Sequence, residues 1–117
     1  MRYPAFAAVA LCALALPEAL GAADAGPRGS AAAIENYKTK CQSCHMPEGQ
    51  APLEPMNLAD DKWKNGSSQR EISKVISEGI PATAMLPFKA QLTPAEIADL
   101  AAYVRSFDKT LKPEKKK

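Results

Sequence analysis

A second histidine is missing from these 117 residues, and cysteine occurs only three times. That shortage narrows the metal chemistry. A structural zinc site takes four Cys or His ligands, and beyond Cys12 the chain offers only Cys41, Cys44 and His45. Long apolar runs are absent as well. The longest, residues 5–16, is too short to cross a bilayer, which needs about 20. No segment alternates apolar and polar residues over strand length, and no repeat recurs along the chain, so sheet and solenoid folds are excluded. No aromatic residue interleaves the lysines and no basic stripe runs along the body, which excludes a nucleic-acid binder.

The first residues read as an address. Met1 and Arg2 make a weakly basic start, the apolar stretch follows, and small residues fill 19–25. That order is the pattern of a secretory signal peptide, expected over residues 1–23 with cleavage between 21 and 25. Large Val9 and Leu11 before Cys12 argue against a lipoprotein signal. Export removes Cys12 and leaves Cys41 and Cys44 in an oxidising compartment, the bacterial periplasm. A disulfide across two intervening residues would close too small a loop to stabilise a fold, so a chemical role is expected for the pair. The mature chain of about 95 residues suffices for one small domain. Residues 24–29, rich in Gly, Pro and Ser, are expected to be a flexible lead. Residues 30–108 form the domain, and 109–117 a solvated basic tail. That tail holds five lysines and one glutamate, a net +4 against +2 for the whole chain, so residues 1–108 carry −2.

Within the domain the period is helical. Ser30 is placed to cap a helix in which Ile34, Tyr37 and Cys41 share one face and Cys44 extends it, until Pro47 ends it. Residues 47–66 form a loop rich in proline and glycine, long enough to suggest that it wraps around something. Ser68 with Glu71 makes a capping box for a second helix that ends at Gly79. An extended stretch with Pro81 and Pro87 follows. Thr93, Pro94 and Glu96 then open a last helix whose apolar face is Ile97, Leu100, Ala101 and Val104, flanked by Tyr103 and Phe107. The fold class is all-α, three or more short helices with long loops. So thin a core calls for a bound group as its nucleus.

The stretch Cys41-Gln42-Ser43-Cys44-His45 names that group. A thioredoxin-like pair needs a helix start after a buried strand, whereas this one closes a helix in a chain without strands. Covalent haem c fits. In C-x-x-C-H two sulfurs three residues apart reach the vinyl groups on one side of a porphyrin, and the next residue brings its imidazole to the iron. With no other histidine, a methionine thioether is the natural second axial ligand. Met46 adjoins His45 on the same side of the ring, and Met56 sits in the proline-rich loop. Both read as core filler. Met85, in the extended stretch between two helices, is placed to pass over the opposite face and takes the ligand role.

These residues resemble the class I monohaem cytochromes c of bacteria, in the branch associated with oxidases and dehydrogenases, over residues 30–108. "AAAIENYKTKCQSCH" is similar to the family's first helix, "MNLADDKWKNGSSQREISKVISEGI" to its loop and middle helix, and "AMLPFKAQLTPAEIADLAAYVRSF" to its axial-methionine loop and last helix. The resemblance implies a cytochrome c-like fold around one haem, ligation by His45 and Met85, and packing of Ala33 and Tyr37 against the face from Leu100 to Val104. It also implies that the carbonyl of Pro55 or Met56 accepts from the histidine Nδ1–H. Trp63 is then expected either to line the haem, offering its indole N–H to a propionate, or to pack in the core. Three departures stand out: Met46-Pro47 replaces the usual glycine after the histidine, Ala33 stands where glycine is frequent, and Leu86 separates Met85 from Pro87. The implied function is one-electron transfer without a substrate, during brief docking on redox proteins such as an oxidase, a dehydrogenase or other cytochromes. The protein would meet the membrane only through them, as a monomer or a subunit of a complex. The alternative is a haem-based small-molecule sensor or peroxidase-like enzyme with Met85 off the iron. The stretch "TAMLPF" has no His or Arg to serve such chemistry.

Overall fold

The computed structural model describes residues 29–115. The export signal expected over residues 1–23 lies outside them, as do 24–28, Lys116 and Lys117. Four helices occur among the described residues: α1 (Ala31–Lys40), α2 (Gln42–His45), α3 (Gln69–Glu78) and α4 (Pro94–Arg105). No strand occurs among them.

Each long helix starts where a side chain can satisfy its first free amides. Ser30 Oγ accepts from the Ala33 N–H at 3.1 Å and also bonds the Asp99 carboxylate on α4, so one cap joins two helices. Ser68 and Glu71 form a reciprocal capping box on α3, and Thr93 with Glu96 repeats it on α4, where Pro94 occupies the first turn.

α4 is the central element, packing against both α1 and α3. Leu100 and Ala101 are fully buried, and Ile97 and Val104 nearly so. They meet Ile72 and Ile76 of α3, Tyr37 of α1, and Leu92 and Phe107. Ala33 and Tyr37 are the buried residues of α1, whereas Ile34 is only half-buried. The buried stripe therefore runs through 33, 37 and 41 rather than through 34. Tyr37, Tyr103 and Phe107 close the α1–α4 end edge to face, with centroids 4.8–5.6 Å apart.

One expectation is revised. The first helix does not run straight to Pro47. Cys41 has φ −118°, which kinks the chain and turns Cys44 outward from the core stripe. The described tail residues are exposed apart from half-buried Leu111, and hydrogen bonds tether them as far as Glu114. Arg105 donates from Nε to the Ser67 carbonyl and from Nη1 to the Lys112 carbonyl, both at 2.8 Å. Glu114 accepts from the Gln69 N–H at 3.0 Å, at the positive end of α3.

Leu100→Ala should empty the best-packed position in the domain. We expect a loss of about 2–5 kcal/mol, read as a lower denaturant midpoint with an unchanged slope.

Candidate functional site

Cys41 ends α1 and Cys44 lies on α2, in a segment whose hydrogen bonds continue the helix past the kink: Cys44 and His45 both donate from N–H to the Cys41 carbonyl, at 3.1 and 3.0 Å. Both cysteines are free thiols. Cys41 is half-buried against the core and Cys44 exposed. Burial pushes the Cys41 thiol up to about 11, with Lys40 opposing and Cys44 adding to the rise. A redox-active cysteine has its pKa lowered, so Cys41 lacks the electrostatics of a thioredoxin-type nucleophile. No group of three His, Cys, Asp or Glu side chains placed to hold a metal occurs among the described residues.

His45 is oriented by a single contact. Its Nδ1 lies 2.7 Å from the Met56 carbonyl. A carbonyl only accepts, so Nδ1 carries the hydrogen and Nε2 keeps the lone pair a metal needs. Of the two carbonyls considered from sequence, Met56 makes this bond. Pro55 is exposed and its carbonyl is not the partner. The loop is braced to present that carbonyl. Met56 closes a 3₁₀ turn, Glu54–Met56, donating from N–H to the Leu53 carbonyl at 2.9 Å. Asn57 donates from its side-chain amide to the Ala51 carbonyl at 3.0 Å and accepts from the Ala59 and Asp60 amides. Sequence reading passed over Asn57. An Asn just after a proline-rich run, able to bond backbone two and three residues on, was the available signal.

Met85 sits on a separate strap after α3. Its carbonyl accepts from the Ile80 N–H at 3.0 Å, its N–H donates to Thr83 Oγ1 at 3.2 Å, and Phe88 N–H returns the strap to the Ile76 carbonyl at 2.9 Å. Gly79 permits the crossing: with φ 69° it passes so near that a Cβ would lie 2.6 Å from the Met85 carbonyl oxygen. Met85 is half-buried while Ala84, Leu86 and Pro87 around it are exposed. Among the described residues no hydrogen bond joins this strap to α2 or to the loop behind His45, so each is fixed to the core independently.

Trp63 is half-buried and its indole N–H is committed. It donates to the Asp108 carboxylate at 2.8 Å. Thr110 donates to the same carboxylate from its N–H and its hydroxyl. Asp108 is 3% exposed, the one buried charged residue among those described. Burial alone would raise its carboxyl. The hydrogen bonds from Trp63 and Thr110 and the nearby Arg105 outweigh that and hold it below its ordinary value. Trp63 thus ties the loop to the chain beyond α4. Nothing in the sequence pointed to Asp108, since its partner lies 45 positions away.

This donor set fits haem c. Two free thiols three residues apart stand beside an imidazole whose Nε2 is the open nitrogen, and a thioether lies on an independently anchored strap. The comparisons with known proteins agree. Residues 30–104 match the family described as cytochrome c oxidase, cbb3-type, subunit III. The chain is similar to the cbb3-type cytochrome c oxidase subunit FixP of Sinorhizobium medicae (strain WSM419), 32% identical over 78 positions that cover 60% of this chain and 27% of that protein. It therefore spans about a quarter of that relative's length. Among solved structures it is similar to the KustC0563 c-type cytochrome, with 34% identity, TM-score 0.55, and coverage of 66% of this chain and 98% of that one. Cytochrome c6 from the diatom Phaeodactylum tricornutum follows, at 29% identity and TM-score 0.53, covering 64% and 88%.

The Asp108 network gives stability a sign with pH. Because the folded carboxyl lies below its unfolded value of about 4, its contribution is full above that pH and is lost as pH falls through the depressed value. Asp108→Asn should cost about 1 kcal/mol at neutral pH, the difference between a charged and a neutral acceptor. It should also flatten the acid limb of the stability curve, measured by denaturation between pH 2 and 7.

Proposed function

Because the chain belongs to the cytochrome c family, matched over residues 30–104 as the cbb3-type subunit III domain, we propose that it is a one-electron carrier with a His45/Met85-ligated haem c. The observation that carries this is the fixed His45 imidazole, with Nδ1 spent on the Met56 carbonyl and Nε2 left open beside the Cys41–Cys44 pair.

Haem c, when bound, supplies a reversible one-electron couple. Cys41 and Cys44 would hold it through their sulfurs, His45 through Nε2 and Met85 through its thioether. The chain's contribution is to keep these donors in place in both oxidation states. The Met56 carbonyl stops the imidazole from rotating and raises its basicity. The bond from the Ile80 N–H and the bond that Met85 N–H donates to Thr83 Oγ1 lock the backbone of Met85, so its side chain is presented with little reorganisation. Trp63, with its N–H held by Asp108, is assigned to bracing the haem loop rather than to a propionate bond.

Leu53 and Leu86 are each 66% exposed, more than any other large apolar side chain described. One lies in the loop behind His45 and the other beside Met85. Such residues suit brief, partly apolar docking with a redox protein: an oxidase, a dehydrogenase or another cytochrome. The signal pattern over residues 1–23 supports export to the periplasm, and residues 30–108 are assigned as the functional unit.

The test is a stained denaturing gel and a visible spectrum of the protein from a host that matures c-type cytochromes. We expect haem to remain attached after denaturation, and to be lost in the Cys41→Ser/Cys44→Ser double variant. The ferric protein should show the far-red band of methionine-bound haem at neutral pH, and Met85→Ala should abolish it. Unattached haem would refute the assignment. Attached haem without the far-red band, binding CO readily when reduced, would favour the sensor or peroxidase-like alternative.

A further inference from the structure

Met46, the residue after His45, has φ 62° and ψ 169°. That corner of backbone space is essentially reserved for glycine, because a Cβ there crowds its own peptide neighbours. Glu48 at φ 53° and Gly49 at φ 70° continue the distortion. Three of four consecutive residues therefore sit at positive φ, immediately behind the proposed iron ligand. Surrounding structure must hold such a segment, and one side chain does so from both ends.

The Tyr37 hydroxyl donates to the Met46 carbonyl at 2.6 Å and accepts from the Gly49 N–H at 2.9 Å. The phenol is 1% exposed, and its ring is fixed edge to face against Tyr103 and Phe107. Burial pushes its pKa up to about 12, with the Gly49 amide opposing, so it stays protonated and able to donate. The two atoms it grips also bond each other, the Gly49 N–H donating to the Met46 carbonyl at 3.1 Å, so the hydroxyl closes one tight turn just behind His45. The Met46 peptide follows His45 directly. Gly49 accepts at its carbonyl from the Leu58 N–H at 2.8 Å, two residues beyond Met56. The hydroxyl thus braces the turn that joins the imidazole's side of the contact to the Leu58 end of the loop, beside the 3₁₀ turn and Asn57 that hold the carbonyl itself.

The geometry points to Tyr37 as a positioning residue for the iron ligand: its hydroxyl holds Met46 in a glycine-only conformation and so keeps His45 Nδ1 on the Met56 carbonyl. This rests on His45 being the ligand proposed above, but its test is read with haem attached and does not stand or fall with electron transfer.

Tyr37→Phe keeps the ring and its packing and removes both hydrogen bonds. In the haem-bound protein, Gly49 and Leu58 amide exchange should accelerate about tenfold. The His45 Nδ1–H resonance should broaden or move, and the midpoint potential should fall as water gains access to the loosened loop. Met46→Gly removes the need for the clamp. In the double variant Tyr37→Phe/Met46→Gly, the His45 resonance and the potential should return to wild-type values while Gly49 exchange stays fast. Should Tyr37→Phe fail to accumulate, Met46→Gly alone carries the test: it should raise the denaturant midpoint, although glycine ordinarily lowers it. An unchanged His45 resonance and potential in Tyr37→Phe would overturn the inference. So would a double variant as shifted as the single one, or a lower midpoint in Met46→Gly. Loss of attached haem from the wild type would instead count against the proposed function.

Discussion

The 2.7 Å contact between His45 Nδ1 and the Met56 carbonyl is the constraint on which the rest of the site depends. With one histidine in the chain, no second ring can compensate if this one turns. An imidazole on a four-residue helix at the surface is free to rotate unless something accepts its N–H. A backbone carbonyl held rigidly in place fixes both the tautomer and the angle. Much of the irregular chain between 46 and 66 then makes sense as scaffolding for one oxygen atom. The 3₁₀ turn at Glu54–Met56 aims it, and Asn57 locks the turn from behind. Gly49 binds Leu58, and Trp63 secures the far end to Asp108.

That scaffolding needs a wall, and α4 provides it. The helix contributes four buried side chains and touches both α1, which leads into the cysteine pair, and α3, which leads into the methionine strap. Among the described residues, the two halves of the candidate site are hydrogen-bonded to the core rather than to each other. A domain of this kind gains stability when a bound group ties its halves together. Its caps are correspondingly strong: two reciprocal boxes and a serine that also reaches Asp99.

Much of this was legible in the sequence because it depended on local chemistry. Ser68 with Glu71, Thr93 with Pro94 and Glu96, and the period of Ile97, Leu100 and Val104 each gave an element within a residue of its observed limits. The pentapeptide from Cys41 to His45 identified its own cofactor class. What stayed hidden depended on distant partners or on backbone angle. Asp108 is 45 residues from Trp63, and Glu114 is as far from the amide of Gln69 that it caps. The kink at Cys41 leaves no compositional mark, and the positive φ of Met46 was hinted at only by the glycine that the resembled family usually has there. The same holds for Tyr37. Its ring was readable as core, whereas the double use of its hydroxyl appears only when the loop is folded over it.

The central claim is that the two halves of the site meet at one iron, through His45 and Met85. Selective 13C-methyl labelling of methionine in the reduced, haem-bound protein tests this most directly, because a thioether methyl bound over a haem face is shifted far upfield by the ring current. The expected result is one such resonance, assigned to Met85, with the methyls of Met46 and Met56 in the ordinary range. A spectrum without an upfield methyl, or one in which it belongs to Met46 or Met56, would contradict the assignment.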